Sequence, residues 1–173
     1  MATAQIKKDK SRNVHTISML VANKPGVLVR IAHVFARRGY NIDSLVVSPS
    51  FDPRFSRMTV TAMGDVQILD QIIKQVNKLI DVIHAGEHTG EDAIDTELAL
   101  LKVKIKASDM KIIQKLLKSF QARIIHEAPE VLIIEQMGTT EELDQLEAAL
   151  KKFRLVEMVR TGKICMAKGL SET

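Results

Sequence analysis

The sequence predicts an α+β protein built from two consecutive β-α-β-β-α-β units. Three observations carry this. Runs of alternating apolar and polar residues, such as Val14–Ala22 and Arg57–Met63, read as half-buried antiparallel strands. Stripes at helical spacing separate them, for example Val27, Leu28, Ile31, Ala32 and Phe35. The same order of elements then recurs after a polar, acidic stretch at Thr89–Asp95.

The first unit opens with the Val14–Ala22 strand, which Asn23-Lys24-Pro25-Gly26 breaks as a tight turn. A helix over Gly26–Arg38 follows, and Gly39 ends it, since glycine is the usual residue just past a helix C-terminus. Asn41–Ser48 is the second strand. Pro49–Ser56 holds two prolines and reads as a long hairpin loop. In Arg57–Met63, Arg57, Thr59 and Thr61 share one face, and Met58, Val60 and Ala62 the other. Asp65 is the expected N-cap of a helix striped by Val66, Leu69, Ile72, Ile73, Val76 and Ile80. Asp81–His88 closes the unit.

The second unit starts at Glu97–Ala107, with Leu101, Val103 and Ile105 opposite Lys102, Lys104 and Lys106. Ser108-Asp109 is expected to cap a helix striped by Met110, Ile113, Leu116, Leu117 and Phe120. Arg123–Glu127 and Val131–Met137 are strands joined by Ala128-Pro129-Glu130. Thr139 with Glu142 has capping-box spacing, and Leu143, Leu146, Ala149, Leu150 and Phe153 continue that helix. Leu155–Ala167 is the last strand. This order is the ferredoxin-like, split-βαβ arrangement twice over. The expected divisions are a disordered tail at 1–12, a ligand-binding unit at 13–88, a linker at 89–95 and a second unit at 96–173.

Composition narrows the function classes. The chain has 173 residues, 46% apolar and 27% charged, as an ordinary globular protein has. Its net charge of +4 owes much to Lys7, Lys8, Lys10 and Arg12, which read as a solubilising end. One cysteine, Cys165, allows no internal disulfide and suits a reducing compartment; burial in its apolar strand accounts for it better than catalysis. With no apolar run of spanning length and no signal core, a cytoplasmic location is expected. Aromatic residues are 3% of the chain, with Tyr40 the only tyrosine, so the stacking platform of an RNA-binding sheet is missing. A hydrolase of the acylphosphatase kind shares the topology, and Asn41 and Arg57 are present, but no anion loop accompanies them. No nucleophile–base pair with a positioned third group occurs, so the chain alone is expected to be non-catalytic. His84 and His88, with Glu87, Glu91 and Asp92, lie on a strand end and linker rather than one helix face, and no metal site is assigned to them.

The informative stretch is Asn23-Lys24-Pro25-Gly26-Val27-Leu28. A strand there feeds a helix N-terminus, whose unpaired N–H groups and partial positive charge seat a small carboxylate. Asn23 and Asn41 add neutral donors and acceptors. These parts suit an amino acid better than a nucleotide, because no long glycine-rich cradle is present.

The same stretch, continued through Arg37-Arg38-Gly39-Tyr40-Asn41-Ile42-Asp43-Ser44-Leu45, resembles an ACT domain. Together with Ser56-Arg57-Met58-Thr59 and Lys78-Leu79-Ile80-Asp81-Val82, it is more closely similar to the small regulatory subunits of acetolactate synthase, also called acetohydroxyacid synthase. The resemblance runs from Val14 to about Leu170. It implies a non-catalytic subunit that pairs side by side through its sheets as a homodimer. It implies binding of valine, or of leucine or isoleucine, between protomers by Asn23, Pro25, Gly26, Val27 and Leu28 of one copy with Asn41 and Ile42 of the other. It implies activation and feedback inhibition of a separate catalytic subunit in branched-chain amino acid biosynthesis. Thiamine diphosphate, magnesium and FAD are expected on that subunit, and no cofactor on this chain. A free-standing amino-acid sensor acting on another enzyme is the alternative. The second unit has Lys106-Ala107-Ser108-Asp109 in place of the Pro-Gly turn and is not expected to take the same ligand.

Overall fold

The computed structural model describes residues 14–88, 92–170 and 173. The expected tail at 1–12 lies outside the described residues. Two compact units are present, one comprising the described chain up to Ile94 with the stretch from Cys165 onward, the other Asp95–Ile164.

In the first unit the order is β1 (Val14–Ala22), α1 (Val27–Arg37), β2 (Ile42–Pro49), β3 (Phe55–Met63), α2 (Val66–Val76) and β4 (Val82–Glu87). The sheet is antiparallel, in the order β2-β3-β1-β4. β1 lies in the middle, its whole length paired with β3 from Val14 opposite Met63 to Ala22 opposite Phe55. Ile17, Met19 and Val21 on β1 and Met58, Val60 and Ala62 on β3 form one core with Ile31 and Phe35 of α1 and Leu69, Ile72 and Val76 of α2. Both helices therefore cover the same sheet face.

Local chemistry ends these helices as the sequence requires. At the C-terminus of α1, Gly39 N–H donates to Ala36 O at 3.0 Å and Tyr40 N–H to Phe35 O at 3.1 Å. That is the Schellman pair, with Gly39 left-handed at φ 70. The Tyr40 hydroxyl then donates to Asp65 O at 2.8 Å, tying the end of α1 to the start of α2. Asp65 caps α2 by accepting from Gln67 N–H at 2.7 Å. The Asn77 side chain exchanges two hydrogen bonds with the Ala85 backbone, at 2.8 and 2.9 Å, and so covers part of the β4 edge. β2 is the opposite edge.

The second unit repeats this order: β5 (Ala93–Lys104), a 3-10 turn at Ala107–Asp109, α3 (Met110–Ser119), β6 (Arg123–Ala128), β7 (Val131–Gly138), α4 (Thr140–Leu150) and β8 (Arg154–Arg160). The strand order is β6-β7-β5-β8, and a short β9 (Ile164–Ala167) also pairs with β5. The Thr139–Glu142 capping box is formed: Thr139 N–H donates to Glu142 Oε2 at 2.8 Å and Glu142 N–H to Thr139 Oγ1 at 3.3 Å.

Several expectations need correction. β5 begins at Ala93, so the linker expected at 89–95 is already strand from Ala93 onward; β9, distant in sequence, pairs with this strand. The closing strand, read as continuous over Leu155–Ala167, is broken at Thr161–Lys163, where Gly162 takes a φ of 85. Asp109 does not cap α3 forward. Its carboxylate turns back to accept from Lys106 N–H at 3.2 Å, closing the 3-10 turn instead. β3, expected to be half-buried, is buried on its polar face too: Thr59 and Thr61 are buried, as are Thr16 and Ser18 beside them on β1. Short hydroxyls tolerate this by bonding sideways, as Ser44 Oγ does with Thr61 Oγ1 at 2.6 Å.

Two stability predictions follow from packing and backbone. Phe35 is among the largest fully buried side chains, and Phe35→Ala is expected to cost about 3–5 kcal/mol in urea unfolding. α3 ends in the same Schellman pair as α1, with Ala122 N–H on Leu117 O at 2.9 Å, but the left-handed position is Gln121 at φ 54. Gln121→Gly is expected to raise stability by about 0.5–1 kcal/mol, relief of backbone strain outweighing glycine's larger chain entropy. The same unfolding measurement checks it.

Candidate functional site

β1 delivers the chain into the Asn23–Gly26 turn, and four bonds hold that turn in place. Ala22 N–H donates to Asp81 O at 2.7 Å, and Asn23 N–H to Arg54 O at 2.8 Å. The Asn23 side-chain Nδ2 donates to Pro53 O at 3.0 Å, and Lys24 N–H folds back to Ala22 O at 2.9 Å. Asn23 is thereby docked on the β2–β3 hairpin. The hairpin is stiffened by Arg54, whose guanidinium forks onto Asp52 at 2.6–3.0 Å and holds that carboxyl below its usual range.

Gly26 is the N-cap of α1, with φ 83 and ψ −8, and makes no side-chain cap. A left-handed residue is needed to turn the chain into the helix here, which is why glycine occupies it. α2 and α4 both receive a side-chain cap from their preceding residue, whereas α1 starts bare. Val27 N–H reaches Lys24 O only at 3.5 Å, and the helix start at Leu28 keeps its N–H and partial positive charge available.

Arg30 was not singled out from sequence, and it belongs to this place. Its Nη1 lies 3.6 Å from where a side chain on Gly26 would begin. Its Nη2 is held by Asp81 Oδ2 at 2.5 Å, although half of the Arg30 side chain remains in solvent. Arg30 is one helical turn beyond Gly26, and that i, i+4 spacing is the signal from which it is readable. The turn thus combines a bare helix start, a fixed guanidinium and the Asn23 amide, a set fitted to a small carboxylate bearing an ammonium.

The predicted site residues do not all meet within one chain. Asn23, Pro25, Gly26 and Leu28 are together and exposed at the turn. Val27 is placed there by its backbone, but its side chain is only 4% exposed and belongs to the core, so it offers no open apolar wall; Leu28, 42% exposed, does. Asn41 and Ile42 lie at the other end of the sheet. Ile42 pairs with Ala62, while Asn23 sits beyond the Ala22–Phe55 pair. The length of β3 between Phe55 and Ala62 is about 24 Å at about 3.4 Å per residue. One protomer cannot close both halves on a ligand of a few ångströms.

Comparison with known proteins places this geometry. Residues 17–84 match the family described as the AHAS small subunit-like ACT domain, and residues 96–169 match the family described as the small subunit of acetolactate synthase. A probable acetolactate synthase small subunit of Archaeoglobus fulgidus is 39% identical, over 90% of this chain and 97% of that one. The acetolactate synthase small subunit of Haemophilus influenzae is 38% identical, over 88% of this chain and 94% of that one. The crystal structure of the acetolactate synthase small subunit from Thermotoga maritima superposes with a TM-score of 0.82 at 35% identity, covering 91% of this chain and 99% of that chain. Both halves of the sequence, at nearly full length, carry the same signature, and the chain belongs to the acetolactate synthase small-subunit family, with an ACT domain as its first unit.

Proposed function

We propose that this chain is the regulatory subunit of an acetolactate synthase, and that two copies bind a branched-chain amino acid between their ACT domains to set the activity of the catalytic subunit. The observation that carries the reading is the split site. The Asn23–Leu28 turn and the Asn41–Ile42 segment stand at opposite ends of one sheet, and β2 is its open edge. Pairing two β2 strands antiparallel across a two-fold axis carries the Asn41–Ile42 end of one copy to the Pro49 end of the other, beside the partner's turn. Asn77 covers part of the β4 edge, which leaves β2 the better edge for such pairing.

In that arrangement the ligand carboxylate meets the bare start of α1 and Arg30, and its ammonium meets Asn23 Oδ1 and backbone oxygen at the partner copy's Asn41. Leu28, with Ile42 of the second copy, forms the wall for an aliphatic side chain. Valine, leucine and isoleucine differ by single methylene or methyl groups, worth about 1–3 kcal/mol each in such a pocket. The chemistry itself belongs to the catalytic subunit, with thiamine diphosphate, magnesium and FAD bound there, in the cytoplasm. This chain acts on it by binding.

Gly26→Asp tests the reading in the reconstituted two-subunit complex. An aspartate at φ 83 costs about 1 kcal/mol of backbone strain, which leaves the fold standing. Its carboxylate takes Arg30 for itself and repels the ligand's. Loss of valine inhibition with activation of the catalytic subunit retained is the expected outcome; unchanged inhibition overturns the site. Arg30→Ala is expected to weaken valine binding by about 1–2 kcal/mol in calorimetry, a value discounted because this guanidinium is half exposed. Sedimentation of the purified chain as a monomer with valine present would overturn the shared site.

A further inference from the structure

The sheet face of the first unit that turns away from α1 and α2 holds a cluster that the amino-acid site does not use. Register places it in rows. Leu20 of β1 is flanked by Arg57 of β3 and His84 of β4; Ser18, one row along, is flanked by Thr59 and Gly86. In the next row His88 N–H donates to Thr16 O at 2.9 Å. Gly86 lets two imidazoles come close over its backbone: a Cβ there would lie 3.3 Å from His84 Nε2 and 3.9 Å from His88 Nε2. Arg57 Nη1, His88 Nε2 and Ser18 Oγ are all shut off from solvent with no hydrogen-bond partner.

Buried polar atoms are almost always satisfied, so three orphans on one face point to a missing occupant. Charge says which kind. Arg57 takes part in none of the ion pairs among the described residues, although carboxylates engage Arg30, Arg54, Arg123 and Arg160. Burial, and then the positive charges at His84 and Arg57, hold His88 below the ordinary imidazole value; Asp92 alone acts the other way. A guanidinium has no lone pair to give a metal ion and repels one. Its fork matches the oxygens of a phosphate or carboxylate, and imidazoles at either side of bare backbone complete the donor set.

We propose that Arg57, His84 and His88 form a second ligand site, which takes a small oxyanion, a phosphate or carboxylate group, over the backbone of Gly86. Ser18 Oγ, in the same row as Gly86, donates to it from the sheet floor. His84 is exposed and marks the side from which the ligand enters. Arg57 lies in the Ser56-Arg57-Met58-Thr59 run that marks the family in the sequence, and this gives that arginine a task apart from the Asn23–Leu28 turn.

Calorimetry on the full chain tests it, with inorganic phosphate as the probe, at neutral pH where a neutral imidazole N–H still donates, and ionic strength held with sodium chloride. Saturable phosphate binding is expected, weakened at least about tenfold by Arg57→Gln and by His88→Gln, with Arg57→Lys intermediate. If Arg57→Gln fails to unfold cooperatively, His84→Gln at the exposed rim takes its place, with the same direction of effect. A parallel titration with acetate identifies the group: equal binding assigns a carboxylate, and indifference assigns a phosphate. The proposal is overturned if heat follows ionic strength alone, if folded variants bind phosphate as the parent does, or if the histidines bind zinc while phosphate is ignored.

Discussion

The antiparallel pairing of β1 on both of its edges is the constraint on which the first unit depends. A central strand has its hydrogen bonds fixed from two sides, so its register cannot slip without turning every side chain over. That register aims Ile17, Met19 and Val21 at the helices and leaves Thr16, Ser18 and Leu20 on the other face. It also sets where the chain leaves the sheet. Ala22 bonded to Asp81, and Asn23 to Arg54, pin the turn from both neighbouring strands. The bare helix start is therefore positioned by the sheet, and ligand binding need not order it first.

The two units show how the same topology is made to differ. In each, the residue leaving the central strand is bonded to the neighbouring hairpin: Asn23 N–H to Arg54 O, and Ile105 N–H to Glu130 O, both at 2.8 Å. Beyond that point the chemistry diverges. The first unit goes through left-handed Gly26 directly into α1. The second inserts a 3-10 turn closed by Asp109 on Lys106 N–H, placing a carboxylate where the first unit has open backbone. Its hairpin shrinks to Pro129-Glu130, with Glu130 tied to Lys104 at 2.9 Å. An acidic group at the helix start disfavours a ligand carboxylate, in line with the absence of a Pro-Gly turn from its sequence.

Legibility followed the range of the interactions involved. β1 and the Asp65 and Thr139 caps were readable to the residue, because periodicity and capping act within a few positions. The same holds for the Gly39 stop. What was misread depends on distant partners. The start of β5 rests on pairing with β9, some seventy residues on. Val27 entered the expected ligand set through the family resemblance, whereas its place in the helix's apolar stripe already marked it as the first core-facing residue. Arg30 had a local signal in its i, i+4 spacing from Gly26, but the ion pair that fixes it comes from Asp81, 51 residues on in the chain. The buried polar face at Thr16, Ser18, Thr59 and Thr61 carries the alternation of a solvated one, and no local rule separates the two.

An edge strand and a regulatory site are usually separate problems, and the proposed pairing joins them. The β2 edge presents unpaired backbone, an aggregation hazard that a second copy, in the proposed pairing, would remove. A ligand seated at the ends of that paired edge adds interactions only when the two copies hold one particular alignment. Its binding energy is then spent on selecting that alignment, and linkage between such sites is typically about 1–3 kcal/mol. That is enough to shift a catalytic partner between two states differing little in free energy, and too little to lock it against falling amino-acid levels. Feedback regulation needs this reversibility, and in the proposed reading a site divided between two sheet edges would supply it.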